Sequence, residues 1–352
     1  DGDIEVPTDN LDDQLVVPVP DLDVVIGQLA QLALRPTQTP EINEALHLAL
    51  IKFSTAAAMG SLMDRLRSTD FAATVVPAPN PHMSTVHSMV QPFPQTRPHQ
   101  HYILTDDLTP APAPPSTFHE GSGGGGVHIG VLDTPPPDIA GGPEYLLAGH
   151  AMFVTSLILA QAPDATVTVR GIPGDIGQTT AWDVVQGMLA LADAGADVIY
   201  LPFGCRTDDD QPPVLLSRAV QHLCGRVVLV AAAGNHNDSP RPDQSTWPAA
   251  LPDVVAVGAR NAGDTLAYFS PRLHWVTCTA PGVQVPGAYL NGPVRLLDGT
   301  LRQFNGGAIW SGTAFAAATA CGAIAARTVP GHVTAHDALA ALLAEDGGVV
   351  RR

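Results

Sequence analysis

An acid, an imidazole, a carboxamide and a small-residue turn are the groups in this chain best placed to do chemistry. Each stands where the local character of the sequence changes abruptly. Asp133 ends the apolar run Val127-His128-Ile129-Gly130-Val131-Leu132, and His150 opens Gly149-His150-Ala151-Met152-Phe153-Val154. Asn235 closes Val230-Ala231-Ala232-Ala233-Gly234, and Ser311-Gly312-Thr313-Ala314-Phe315-Ala316-Ala317-Ala318 runs into an apolar segment reaching Ala326. Taken singly, each has an ordinary explanation: a turn-capping Asp, a helix-end His, an Asn tolerating left-handed backbone. Together they suit acyl transfer. A hydroxyl is a weak nucleophile at neutral pH and needs an adjacent imidazole base. The imidazole needs a buried carboxylate to fix its tautomer and stabilise its charged form. The oxyanion of a tetrahedral intermediate needs pre-aimed donors, which a helix N-terminus and a carboxamide supply.

Residues so far apart must be brought together by the elements between them. Apolar runs predict strands over 127–132, 165–169, 197–201, 227–232 and 253–258. Helical periodicity predicts helices over 151–160, 181–194, 213–224 and 314–326. Strands alternating with helices imply an α/β fold with a mostly parallel central sheet and helices on both faces. Sites in such sheets lie beyond the carboxyl ends of the strands. Asp133, Gly204 and Asn235 all follow strand ends, so they converge in that reading.

In order, these stretches resemble the subtilisin-like serine peptidases, the subtilases. Val131-Leu132-Asp133-Thr134 is similar to the family's aspartate motif, and Gly149-His150 with Phe153-Val154 to its histidine motif. Ala232-Ala233-Gly234-Asn235 is similar to the oxyanion asparagine motif, and Ser311 to Ala317 to the serine motif. Gly195-Ala196-Asp197-Val198-Ile199 leading to Leu201-Pro202-Phe203-Gly204, Trp247-Pro248-Ala249-Ala250, Val254 to Ala259, Phe269-Ser270 and Ala280-Pro281-Gly282-Val283 also fit, so the resemblance covers about residues 127–327. It implies that Asp133 orients His150, the general base and acid. It makes Asn235 and the Ala314 N–H the oxyanion donors. It also makes Leu201, Pro202, Phe203 and Gly204 a substrate-binding strand, with Phe203 near the pocket for the residue preceding the cut.

The chain departs from the family pattern at several points. Ala314 stands where the family has its nucleophilic serine; Ser311 matches an earlier serine of the motif and does not replace it. Ala151 and Met152 replace Gly and Thr, Ala318 replaces a proline, and Pro135 replaces a glycine. Two explanations for Ala314 stay open: a Ser-to-Ala change introduced to stop self-cleavage or trap a peptide, and a natural pseudoenzyme that binds peptides without cutting them. The intact Asp133, His150 and Asn235 favour the first. In either case the resemblance predicts no turnover for the chain as it stands. A maturation protease of narrow specificity is a further alternative.

Composition bounds the rest. With 45% hydrophobic and only 14% charged residues, 352 residues can bury a large core. A net charge of −17 argues against nucleic acid and anionic membrane as partners. No apolar run reaches the roughly 18–20 residues that cross a bilayer. The chain begins at Asp1 rather than Met, so localisation stays open between secreted and cytoplasmic, in soluble form. Cys205, Cys224, Cys278 and Cys321 form no C-x-x-C pattern and suit two disulfides or a reduced state equally.

Residues 1–120 are expected to form a helical, Pro-rich extension or pro-region held against the peptidase domain, an intramolecular partner besides a peptide or protein substrate. In it, Ile42, Leu46, Ala49 and Phe53 predict one face of a helix after Thr39-Pro40-Glu41, and 101–104 reads as a short strand. A Gly-rich linker, 121–126, leads to the peptidase domain, 127–352. No cofactor is expected. His82, His87, His99 and His101 lack acidic or Cys partners at ligand spacing, so no metal site is assigned. Calcium is common among subtilases, but Asp208, Asp209 and Asp210 read as a solvated loop.

Overall fold

The computed structural model describes residues 10–53, 78–85, 108–114, 123–134, 144–172, 178–207, 209–239, 241–296, 299–345 and 348–350. The N-terminal part holds strand β1 (Asn10–Pro18), helix α1 (Leu22–Gln31), and strands β2 (Glu41–Asn43), β3 (Leu48–Lys52) and β4 (Ala78–Thr85). β1 lies between β3 and β4, antiparallel to both, and β2 extends the sheet beyond β3. α1 is amphipathic and buries Val25 and Leu29 with Leu15, Val17, Ala49, Ile51 and Phe53.

The helix expected after Pro40 is corrected: Glu41–Asn43 and Leu48–Lys52 are paired strands. The turn between them is fixed by the Asn43 side chain, whose Oδ1 accepts from the Leu46 N–H at 2.9 Å. The described part of the extension, residues 10–53 and 78–85, is therefore a sheet with a helix on it. The strand read over 101–104 and most of the Pro-rich stretch lie outside the described residues.

The second part contains, in chain order, β5 (Thr109–Pro112), β6 (His128–Asp133), β7 (Glu144–Tyr145), α2 (His150–Gln161), β8 (Thr166–Gly171), β9 (Gln178–Thr180), α3 (Ala181–Asp193), β10 (Val198–Leu201) and β11 (Phe203–Gly204). It continues with α4 (Val214–Leu223), β12 (Val228–Ala232), β13 (Val254–Arg260), β14 (Cys278–Pro281), β15 (Val285–Arg295), β16 (Leu301–Trp310), α5 (Thr313–Arg327) and α6 (Ala335–Ala344). Six strands form a parallel sheet in the order β14-β13-β12-β10-β6-β8.

The sheet is buried on both faces, and alternate residues of one strand serve different cores. Val198 and Tyr200 of β10 join Phe153 of α2 and Phe315 of α5, whereas Ile199 and Leu201 join Val185 of α3 and Leu216 of α4. That explains why these strands read as continuous apolar runs rather than as alternating ones. The α/β architecture expected from the sequence is the one observed.

β5, inside the stretch expected to belong to the extension, packs with the second part. It pairs antiparallel with β16, and Leu108, just before it, lies in the main core and accepts a hydrogen bond from the Arg302 guanidinium. The chain thus joins its second part by Leu108, ahead of the boundary expected at 120. All four cysteines are free, and only Cys224 is exposed. Burial pushes the Cys278 thiol up to about 12, so it stays protonated. Among the described residues no helix is long and apolar enough to cross a membrane.

α5 is the pivot of the second part. It is buried from Thr313 to Ala325, and small side chains let it approach the neighbouring elements closely. A Cβ added at Gly322 would stand 2.5 Å from the Ile158 carbonyl oxygen of α2, a backbone atom that cannot rotate away. Gly322→Ala should therefore force the two helices apart. Overpacking of this kind costs about 1–3 kcal/mol. Chemical denaturation should show that loss, despite the better helix propensity of alanine.

Candidate active site

Asp133 is the last residue of β6 and His150 the first of α2; both are fully buried. His150 Nδ1 lies 2.8 Å from Asp133 Oδ2 and 2.9 Å from Oδ1. A carboxylate can only accept, so Nδ1 carries the proton and Nε2 is left as the basic nitrogen. The carboxylate is itself held: Oδ1 accepts from the Thr134 backbone N–H at 2.7 Å and from its hydroxyl at 3.1 Å. Trp310 meets the imidazole edge-on and Phe315 meets it at a tilt, each with ring centroids 5.7 Å away. The ring is fixed from one side by charge and from the others by packing.

The turn ahead of α5 brings the third group in. Gly312 donates its N–H to the Gly282 carbonyl at 2.7 Å, and Ser311 Oγ accepts from the Gln284 N–H at 2.9 Å. Ser311 is thus a structural tie between the turn and the start of β15. Ala314 follows in the first turn of α5, fully buried, and its N–H has no acceptor within the helix.

Thr313 joins this turn to Asn235. Its N–H and hydroxyl lie 3.0 and 3.1 Å from Asn235 Oδ1, and its Oγ1 accepts from the Gly234 N–H at 3.1 Å. Oδ1 is therefore the end of the carboxamide facing Thr313, and Nδ2 is the donor on the other side. The arrangement sets a carboxylate–imidazole pair, a helix N-terminus and a carboxamide donor at the carboxyl ends of β6 and β12.

The predicted substrate strand divides. Leu201 pairs within the main sheet, opposite Ala231. Pro202 interrupts the strand, as a residue without an N–H must. Phe203 and Gly204 turn to a different partner: they pair antiparallel with Thr85 and Ser84 of β4. The opposite edge of β4 pairs with β9, matching His82 to Thr180, Met83 to Thr179 and Ser84 to Gln178. A strand from the N-terminal part therefore occupies the edge to which the sequence assigned a peptide.

The model of the subtilase family matches residues 142–343, more than half of the 352 residues. The chain belongs to the subtilase family. It is 30% identical over 206 residues to the thermophilic serine proteinase of Bacillus sp. (strain AK1), covering 51% of this chain and 49% of that one. It is 27% identical over 208 residues to subtilisin Savinase of Lederbergia lenta, covering 53% and 75%. The chain thus spans about half the length of the first of these relatives. The crystal structure of fervidolysin from Fervidobacterium pennivorans shares the fold at a TM-score of 0.61, with 17% identity, covering 90% of this chain and 54% of that one.

Three residues of this subtilase carry roles that the sequence reading did not assign. Thr313 stood inside a quoted motif, but its tie to Asn235 is a long-range contact. Tyr200, buried in β10, donates its hydroxyl to the Ala314 carbonyl at 3.2 Å. Burial first, then the Asp133 carboxylate, holds that phenol well above its ordinary range, so it remains a neutral donor. His236, next to Asn235, lies 2.9 Å from the Gln244 carbonyl through Nε2, which must be the protonated nitrogen.

The acidic run assigned to a loop is partly tied down, since Asp210 accepts from the Ser245 N–H and hydroxyl at 2.8 and 3.2 Å. Asp208, Pro135, His87, His99 and His101 lie outside the described residues. Among the described residues no group of three or more metal-ligating side chains is assembled.

His236 also predicts a pH dependence. Burial, and secondarily the Arg206 charge, lower its pKa from 6.5 to about 4. A histidine with a depressed folded pKa is neutral in the fold and charged in the unfolded chain between those values. Stability is then complete above about 6.5 and falls as pH drops toward 4. The contribution at stake is up to about 3 kcal/mol. Denaturation at pH 7.5 and pH 4.5 should show the loss, and His236→Gln should flatten the difference.

Proposed function

We propose that this chain is the framework of a serine endopeptidase, hydrolysing peptide bonds through a serine, a histidine and an aspartate when serine stands at 314. The observation that carries this reading is the buried His150–Asp133 pair at 2.8 Å, set beside the N-terminal turn of α5. In the serine form His150 takes the hydroxyl proton, the oxygen attacks the peptide carbonyl, and Asp133 stabilises the imidazolium. The Asn235 amide and the Ala314 backbone N–H are the oxyanion donors in this reading. With alanine at 314 the chain has no nucleophile and turns nothing over. The Ala314→Ser chain tests the proposal: it should cleave peptides and label with a serine-directed organophosphorus probe. Absence of both would overturn it.

Residues 10–85 act as a pro-region bound in cis. The β2–β3 turn sits on α3 and α4: Asn43 Nδ2 donates to Gln186 Oε1 at 3.2 Å, and Arg218 donates to the Leu46 carbonyl at 3.2 Å. Leu46, Leu48 and Leu50 share the apolar cluster of those two helices. β4 then lies in the peptide's place, so substrate must displace it. No metal or cofactor is needed for this chemistry. The second reading, a non-catalytic peptide-binding module, draws support from the same facts: Ala314 at the helix start, and a strand already accepted at the edge of β11.

A further inference from the structure

Asp133 fixes Nδ1 of the His150 ring, but where Nε2 points depends also on the backbone that carries the ring. His150 follows a 3-10 turn, Leu146–Gly149, and two side chains hold that turn by its carbonyls. Thr134, beside Asp133, donates its hydroxyl to the Leu147 carbonyl at 2.8 Å. Tyr289 of β15 donates its hydroxyl to the Leu146 carbonyl. The Tyr289 ring also lies against Gly149: a Cβ added there would stand within 2.8 Å of three of its carbons. Only glycine lets the ring come so close to the residue before His150. Trp310, which meets His150 edge-on, meets Tyr289 edge-on as well, with centroids 6.0 Å apart.

β15 is shaped to deliver this side chain. Between the pairs Ala288–Gly307 and Asn291–Asn305 it has two residues, Tyr289 and Leu290, where β16 has one, Gly306. In a regular strand consecutive side chains point to opposite faces, whereas both of these are buried. Beside the bulge, Ser156 Oγ of α2 accepts from the Ala288 N–H at 3.0 Å and donates to the Phe153 carbonyl at 2.7 Å. Burial pushes the Tyr289 phenol up, so it stays a neutral donor.

We propose that Tyr289 is a positioning residue for proton transfer. By clamping the turn 146–149 it sets the His150 imidazole within reach of the hydroxyl of a serine at 314. This deepens the serine peptidase reading above and rests on it. The bond to Asp133 leaves the ring free to pivot about Nδ1, and the clamp removes that freedom. A displacement of about 1 Å at such a group costs about a hundredfold in rate.

The test compares Tyr289→Phe, which loses the hydroxyl and keeps the ring, with Tyr289→Leu, which loses both. In the Ala314→Ser chain, hydrolysis of fluorescently labelled casein should show kcat lowered about tenfold by Phe and about a hundredfold by Leu, with KM unchanged. In the chain with Ala314, proton NMR reads the ring N–H that His150 shares with Asp133, identified by its absence in His150→Gln. That resonance should shift and broaden in Tyr289→Leu and shift less in Tyr289→Phe.

A kcat within twofold of the parent in both variants overturns the proposal, and so does a loss carried by KM. If Tyr289→Leu fails to fold, Tyr289→Phe decides by the same criteria. If the Ala314→Ser chain cuts nothing, the peptidase reading fails separately and the resonance alone decides. Unmoved in both variants, it overturns the positioning role; displaced, it keeps the clamp on His150.

Discussion

Ala314→Ser should raise peptide turnover by about a millionfold over the chain as it stands, the factor that loss of the nucleophile costs in subtilisin. The size of the effect follows from what is already assembled. His150 is locked by Asp133 at 2.8 Å and by two aromatic rings, and Asn235 Oδ1 is held by Thr313 at 3.0 Å. The entropic cost of arranging these groups has been met in the fold, so one oxygen atom completes the set. The substitution adds a single atom at a buried helix start, so it should leave stability almost unchanged.

The same chain should also cut itself. β4 ends at Thr85 on the edge of Phe203, and Leu108 is the next described residue, already part of the second core. Mass spectrometry of the Ala314→Ser protein should find a new N-terminus between those residues, whereas Ala314 protein should stay whole. A serine chain that remains intact, leaves peptides uncut and resists an organophosphorus probe would show that Ala314 is not the seat of a nucleophile.

Much of this site was legible in the sequence because its strands are buried on both faces. β6 is a short apolar run that ends at Asp133, and β12 is one that runs out through Ala233 and Gly234 to Asn235, so both residues are found at or just past a strand end. The N-terminal part was misread for a related reason. In β3, Leu48 and Leu50 face the cluster of α3 and α4 while Ala49 and Ile51 face α1. With both faces buried, the alternation that marks a strand is absent. The spacing of Ile42, Leu46, Ala49 and Phe53 then imitates a helical stripe. The hairpin β15–β16 was invisible for want of turn chemistry known to the eye: its strands hold glycine, proline and polar residues and are paired by register, from Val285 with Trp310 to Arg295 with Leu301. Thr313, Tyr200 and the pairing of β4 with β11 are contacts across long stretches of chain, and no local pattern announces them.

Asp133→Asn, made in the Ala314→Ser chain, should lower turnover by about ten-thousandfold while leaving peptide binding intact. The isosteric amide fills the same space at the end of β6. It changes what His150 Nδ1 meets. Asp133 offers two acceptor oxygens at 2.8 and 2.9 Å, and it receives two donors from Thr134 on Oδ1. In the asparagine form the oxygen is claimed by Thr134, because an N–H in that position would confront two donors. The amide nitrogen then turns to His150 and donates, so Nδ1 must accept and Nε2 must carry the proton. The histidine is left in the tautomer that cannot take a proton from serine, and the imidazolium has lost its counter-charge.

Three measurements separate this account from simple loss of structure. Thermal stability should change little, the binding of pentapeptides to the cleft should be unaltered, and turnover should recover partly at high pH, where hydroxide can take over as base. An Asp133→Asn enzyme that keeps its full rate would mean that the buried carboxylate serves the fold and not the reaction.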